Sequence, residues 1–370
     1  MMKAIFATRL HTCIAAVTVM AAFGVSAAMA DDSSASLAIR NRTIGYVLSN
    51  NEWMIYTDAN KSECPDGLND GPREQYKQLY PEDGTKRKVV DTDLEREAAV
   101  WFPTLTPEPF KFKTPVSKIA PGLNLDGKVG PNDFTSPEGE AGIDNQFYRV
   151  VGCIEDHRPG GSLHHFDQDY MRKRKYTRTL MELTNVDSLA NDDDVIVTFY
   201  RGLDQLLSDA AGNSYLPYGT QRVDVKWGKK FVTRFHGKIK DGVLTTDTAD
   251  LSIPYNYSFD SFGVFTFRDA RLKMNIVPER ASGTLGGYLD INSFYRSMNR
   301  CLGTHSLSYG REAMPSIYRA LHKYADAFPD ANGQNTAISV ARSMTFTQVF
   351  IKHPDQSVAE AEPQKMARKN

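Results

Sequence analysis

Cysteine is scarce in this 370-residue chain, and what is missing around it removes several chemistries. The four cysteines are Cys13, Cys64, Cys153 and Cys301. With no C-x-x-C and no C-x-x-C-H, neither thioredoxin-like redox chemistry nor covalent haem attachment has its ligands. There is also no G-x-S-x-G, no P-loop and no Rossmann glycine pattern at a strand-to-helix turn, so the enzyme classes carried by those motifs lack their signatures. Basic charge is not in excess: 44 Lys and Arg face 45 Asp and Glu, whereas a nucleic-acid surface needs a basic footprint. Beyond Val25 no apolar run approaches membrane-spanning length. No internal repeat or heptad array occurs.

What is present begins with a targeting pattern. Lys3 and Arg9 supply a basic start, the apolar run Cys13 to Val25 follows, and Ala28-Met29-Ala30 gives the small-x-small pattern that a signal peptidase cleaves. Cys13 lacks the small residues before it that mark a lipoprotein signal. The expectation is a periplasmic or secreted protein beginning at Asp31, with no transmembrane anchor after cleavage and no nucleic-acid partner. Removing residues 1–30 leaves 340 residues with 42 basic against 45 acidic side chains, enough for one large domain or two ordinary ones. In an oxidising compartment either one pair among Cys64, Cys153 and Cys301 closes, leaving one thiol over, or all three are small buried apolar residues. Cys153 with Cys301 is preferred, because both fall late in expected helices.

The pattern then divides the chain. Residues 31–121 read as a loop-rich and partly helical region. Ile44 to Tyr56 suggests two short strands around a turn at Ser49-Asn50-Asn51, and helices are expected at 73–80 and 91–101. Residues 122–175 hold a cation-type loop and a helix from Gly142 to Ile154, with Ile143, Phe147, Val150, Val151 and Ile154 on one face. Residues 176–290 alternate as strands. Phe231, Phe235 and Ile239 set one face of a strand that runs into Asp241-Gly242, a strong hairpin signal. The phase slips near Arg268, which predicts a bulge or a strand break. Residues 291–353 are expected to be helical, with Ile291, Phe294, Tyr295, Met298 and Leu302 on one stripe, and Met314, Ile317, Tyr318 and Leu321 on another. Residues 354–370 are a polar, disordered tail. Strands followed by helices predict a β-rich α+β fold, an antiparallel β-sandwich-like or curled sheet with flanking N-terminal and C-terminal helices.

Two stretches carry candidate chemistry. Gly122 to Asp133 (GLNLDGKVGPND) resembles a degenerate EF-type calcium loop of the dockerin sort. With Gly127 as the turn glycine, the resemblance puts the Asn124 and Asp126 side chains, the Lys128 carbonyl and the Asp133 carboxylate at ligand positions. Gly122 offers no side chain at the first position and Asp133 is shorter than the usual Glu, so Glu138, Glu140 or Asp144 completes the shell. The second stretch, Glu155 to Asp169, holds His157, His164, His165, Asp167 and Asp169. Imidazoles with nearby carboxylates are what a transition-metal hydrolytic site needs, but the spacing fits no helical zinc motif. The leading expectation is a calcium-stabilised binding or accessory protein of a bacterial-type cell envelope, taking a carbohydrate, envelope component or partner protein. The alternative is a metal-dependent hydrolase with His157, His164 and His165 as ligands.

Overall fold

Alternation of apolar residues becomes strand pairing over most of the chain. The computed structural model describes residues 38–69, 102–105, 111–173, 178–212, 214–256, 262–302 and 314–354. The expected targeting segment, the helices expected at 73–80 and 91–101, and the residues beyond Pro354 lie outside the described residues. In chain order the strands are β1 (Thr43–Trp53), β2 (Phe134–Thr135), β3 (Ala141–Ile143), β4 (Thr179–Thr184), β5 (Asp192–Arg201), β6 (Gly219–Arg222) and β7 (Thr233–Lys240). There follow β8 (Val243–Thr246), β9 (Ala249–Asn256), β10 (Phe262–Val277), β11 (Arg280–Asp290), β12 (Ala327–Pro329) and β13 (Asn335–Lys352). The helices are α1 (Phe147–Val151), α2 (Ser162–Lys173), α3 (Ile291–Leu302) and α4 (Met314–Tyr324).

Eight of these strands form a closed antiparallel ring in the order β1, β4, β5, β7, β8, β10, β11 and β13, because β13 also pairs with β1. The expected sandwich-like or curled sheet therefore curls to closure, and its facing walls belong to one sheet. Closure removes the exposed edges that an open sheet presents. At eight strands the interior is just wide enough for side chains to fill it. Tyr46, Met181, Leu183, Val197, Phe199, Phe235 and Phe346 do so, all at 1 % exposure or less within one apolar cluster. Outside the ring, β9 extends β10 and β12 pairs with β13, both antiparallel, and β6 runs parallel to β13.

Aromatic contacts join the end of β1 to two of the helices. Trp53, at the end of β1, meets Phe147 of α1, Phe265 of β10 and Phe294 of α3 at ring-centroid distances of 4.4, 5.4 and 6.0 Å. Ile291, Phe294, Tyr295 and Met298 are buried, as their helical spacing predicts, and so are Met314, Ile317 and Leu321 of α4.

Local signals succeed or fail according to what pairs with them. Asp241 and Gly242 have φ of 50° and 76°, the two left-handed residues of a tight hairpin turn. The break near Arg268 is a register shift between Phe267 and Ala270, with Asp269 at φ 47°. In contrast, the turn expected at Ser49-Asn50-Asn51 is a bulge inside one strand, since β13 pairs with β1 on both sides of it and overrides the local turn tendency. The helix expected from Gly142 to Ile154 contracts to α1. Gly142 and Ile143 belong to β3, where Gly142 sits at φ 81° and a Cβ would come within 2.3 Å of the Lys128 carbonyl oxygen.

Two further corrections concern connectivity. The region expected to be helical to residue 353 is helical only to Tyr324, after which β12 and the 18-residue β13 follow. Buried Arg342 and Gln348 fall within β13 and dilute its apolar alternation. The disulfide joins Cys64 to Cys153, not Cys153 to Cys301. Tertiary docking decides this: residues 54–69 lie over the end of α1, where the Asn69 N–H donates to the Cys153 carbonyl at 2.7 Å and Glu63 forms a buried ion pair with Arg158. The side chain of Cys301 is outside the described residues.

Candidate functional site

The loop from Gly122 to Asp133 folds around its own polar groups. Asn124 accepts through Oδ1 from the Gly127 N–H at 2.7 Å and donates through Nδ2 to the Lys128 carbonyl at 2.8 Å. Asp126 Oδ1 accepts from the Lys128 N–H at 2.8 Å, and an Asp133 carboxylate oxygen accepts from the Gly130 N–H. Two of the expected ligand groups, the Asn124 side chain and the Lys128 carbonyl, are thus engaged with each other. Asp144, just after β3, is brought beneath the loop by pairing with Leu123, and its Oδ2 accepts from the Leu125 N–H at 2.6 Å. A side chain at Gly122 would point instead at Ile143, Ala341 and Asn145. On the ring side, Gly286 of β11 lets Leu123 and Leu125 seat closely, since a Cβ there would come within about 3 Å of both.

These residues edge a cleft of about 510 Å³. Asp126, Asp133 and Asp144 line it with Asp326, Tyr288, Tyr324, Asn132 and Gln146, and the cations Lys118, Arg149 and Lys323 stand around the same opening. The floor is a connected polar network. Ser339 Oγ donates to Asp326 at 2.6 Å and accepts from the Gln146 N–H at 2.9 Å. Gln146 in turn accepts from Arg149 Nε at 2.8 Å, and both side chains donate to the Asn132 carbonyl.

The cleft's acids act on one another electrostatically. Burial pushes the Asp144 carboxyl above the usual range, and Asp133 and Asp126 push it further, against the hydrogen bond from Leu125. Asp326, exposed at the rim, is also raised, first by the protein mass around its carboxylate and then by Asp144, while Ser339 holds it down. The Tyr288 phenol is raised by burial first and then by Asp144, Asp326 and Asp126, so it remains a neutral donor among acids. Tyr288, Tyr324 and Asp326 escaped the sequence reading. Nothing in their local spacing links them to a loop more than 150 residues away.

The histidine stretch is only partly gathered. His157, buried in a 3-10 turn (Glu155–His157), and His164 and Asp167 of α2 line one small pocket with Glu52, Trp53 and Arg342. His164 Nε2 lies 3.6 Å from Glu52 Oε1, and Asp167 Oδ2 lies 3.7 Å from Arg342 Nη2. His165 is exposed and Asp169 half-buried, and neither lines this pocket. Consecutive helical residues do not share a face. Burial pushes the Asp167 carboxyl up to about 6, with Arg342 pulling it down and Glu52 pushing it up. Among the described residues no group of three or more His, Cys, Asp or Glu side chains is placed to hold a metal ion.

Fold and site together define a strand-rich protein built on a closed antiparallel ring, with a polar cleft edged by an acidic loop. No protein-family model, no curated protein and no solved structure matches the chain. Among the described residues no helix is long and apolar enough to cross a membrane.

Proposed function

We propose that this is an exported binding or accessory protein of a cell envelope, that its ligand seat is the cleft under the Asp126–Asp133 loop, and that calcium stabilises that loop. The observation that carries the reading is that Asp126, Asp133, Asp144, Asp326 and Tyr288 line one cleft. Like charges gathered in one cleft repel each other, and a hard cation bound by oxygen ligands relieves that repulsion. Binding requires the Asn124 amide to turn from the Lys128 carbonyl, freeing both oxygens. The tyrosines and planar polar side chains around the opening suit a polyhydroxylated ligand such as a carbohydrate. The disulfide between Cys64 and Cys153 supports an oxidising compartment, in keeping with the targeting pattern at residues 1–30.

The test is metal analysis of purified residues 31–370 with thermal melts in EDTA and in calcium. Calcium that binds only the folded chain stabilises by about 2.7 kcal/mol at a hundredfold excess over its dissociation constant. We expect that gain in wild type and in Asp193→Asn, and its loss in Asp126→Asn. Melting that is indifferent to calcium and EDTA would sink the calcium assignment. The competing reading, a metal-dependent hydrolase, draws on the shared pocket of His157, His164 and Asp167. It requires bound zinc that survives Asp126→Asn and is lost in His164→Ala.

A further inference from the structure

Between β5 and β7 the chain leaves the ring and forms an outer flap. Its two arms pair through the bridges Gly202 to Val223 and Ser208 to Tyr215, and through the Leu216 N–H bonded to the Leu207 carbonyl at 2.9 Å. The flap has two faces. Leu206 packs inward on Val47, Leu180 and Val349 of the ring's outer wall. Leu207 and Leu216, paired across the arms, point the other way at 62 % and 46 % exposure. Apolar side chains placed opposite each other on a solvent face are what a docking surface shows, whereas scattered ones are ordinary.

The flap ends in the 3-10 segment Val225–Phe231, in which every residue from Val225 to Lys230 is exposed. Gly228 has φ 56° and ψ −136°, a conformation that favours glycine, and it kinks the segment between Lys226-Trp227 and Lys229-Lys230. Trp227 is held from behind by the Arg201 guanidinium, 4.8 Å from its ring, and Arg201 is itself tied to Asp224. Among the described residues no ion pair engages Lys226, Lys229 or Lys230. Of the three acids of the flap, Asp204 pairs with Arg222 and Asp224 with Arg201, and Asp209 sits in the turn at the flap's tip.

We propose that the flap docks on an anionic phospholipid surface, with the exposed segment 225–230 as its charged contact. Three lysines complement negative headgroups, and a braced indole suits the polar–apolar boundary where tryptophan is enriched. Leu207 and Leu216 supply apolar area for the region beneath the headgroups. The charge is local: the whole chain carries a net −1, so attraction depends on how the flap presents itself and not on overall charge.

The experiment is flotation of full-length mature protein with vesicles of phosphatidylcholine, alone or mixed with phosphatidylglycerol, at low and high salt. Wild type floats with the mixed vesicles at low salt, and the attraction weakens as salt screens it. Each lysine contributes about fivefold to binding, so Lys226→Ala, Lys229→Ala and Lys230→Ala together weaken it on the order of a hundredfold. Leu207→Ser with Leu216→Ser weakens it further at unchanged melting temperature, because both positions are already solvent-exposed. Failure of wild type to float with the mixed vesicles, equal flotation with phosphatidylcholine alone, or an undiminished triple variant would overturn the proposal. Self-association in the ultracentrifuge that is lost in the serine variant, without vesicle binding, would overturn it in favour of an interface between copies.

Discussion

Arg342 is 2 % exposed, lies 4.1 Å from the Trp53 ring and 5.1 Å from the Phe265 ring, and faces Asp167 as its ion-pair partner. A buried pair of this kind is costly to break from one side, because the remaining charge stays out of water. We expect Arg342→Ala to destabilise by about 3–5 kcal/mol in urea unfolding. Asp167 adds a pH dependence whose sign is fixed by its environment. Its folded pKa of about 6 lies above the unfolded value of roughly 4, so folding favours the protonated acid. Its stabilising contribution is complete below about pH 4 and is lost as pH rises through 6, roughly 3 kcal/mol in all. Wild type should therefore lose stability relative to Asp167→Asn across that window. Parallel pH profiles of the two proteins would show that Asp167 does not titrate there.

At the scale of elements, the Cys64–Cys153 bond spans 89 residues and pins residues 54–69 over α1. Cys64→Ala with Cys153→Ala should cost about 2–5 kcal/mol, read as a lowered urea midpoint. An unchanged midpoint would mean that the Glu63–Arg158 pair and the Asn69 bonds hold this segment without the crosslink. Legibility also varied element by element. The hairpin at Asp241-Gly242 and the apolar stripes of α3 and α4 were readable because short-range sequence specifies them. The single-strand character of β1 was not, because its bulge at Ser49 is held by pairing with β13, more than 290 residues away in the chain. The cleft was half readable. Asn124, Asp126, Asp133 and Asp144 lie within one segment, whereas Asp326 and Tyr288 arrive from distant strands and loops.

For the molecule as a whole, β13 ties the ends of the chain together by pairing with both β1 and β11. Its central amides, from Arg342 to Thr347, lie between two paired neighbours. We expect them to exchange only on global unfolding, whereas the flap's 3-10 segment, exposed throughout, exchanges by local opening. Amide exchange followed by mass spectrometry measures both, and fast exchange at the centre of β13 would argue against a closed ring. What the sequence by itself determined was the strand-rich composition, the hairpin, the helical faces and the loop carboxylates, because each depends on residues within one or two turns of chain. Ring closure, the Cys64–Cys153 bond, the seating of Arg342 and Asp167, and the gathering of Asp326 and Tyr288 at the acidic loop were decided only by the tertiary structure. Those contacts join residues far apart in sequence, and which of them form depends on which surfaces the packed ring leaves in reach.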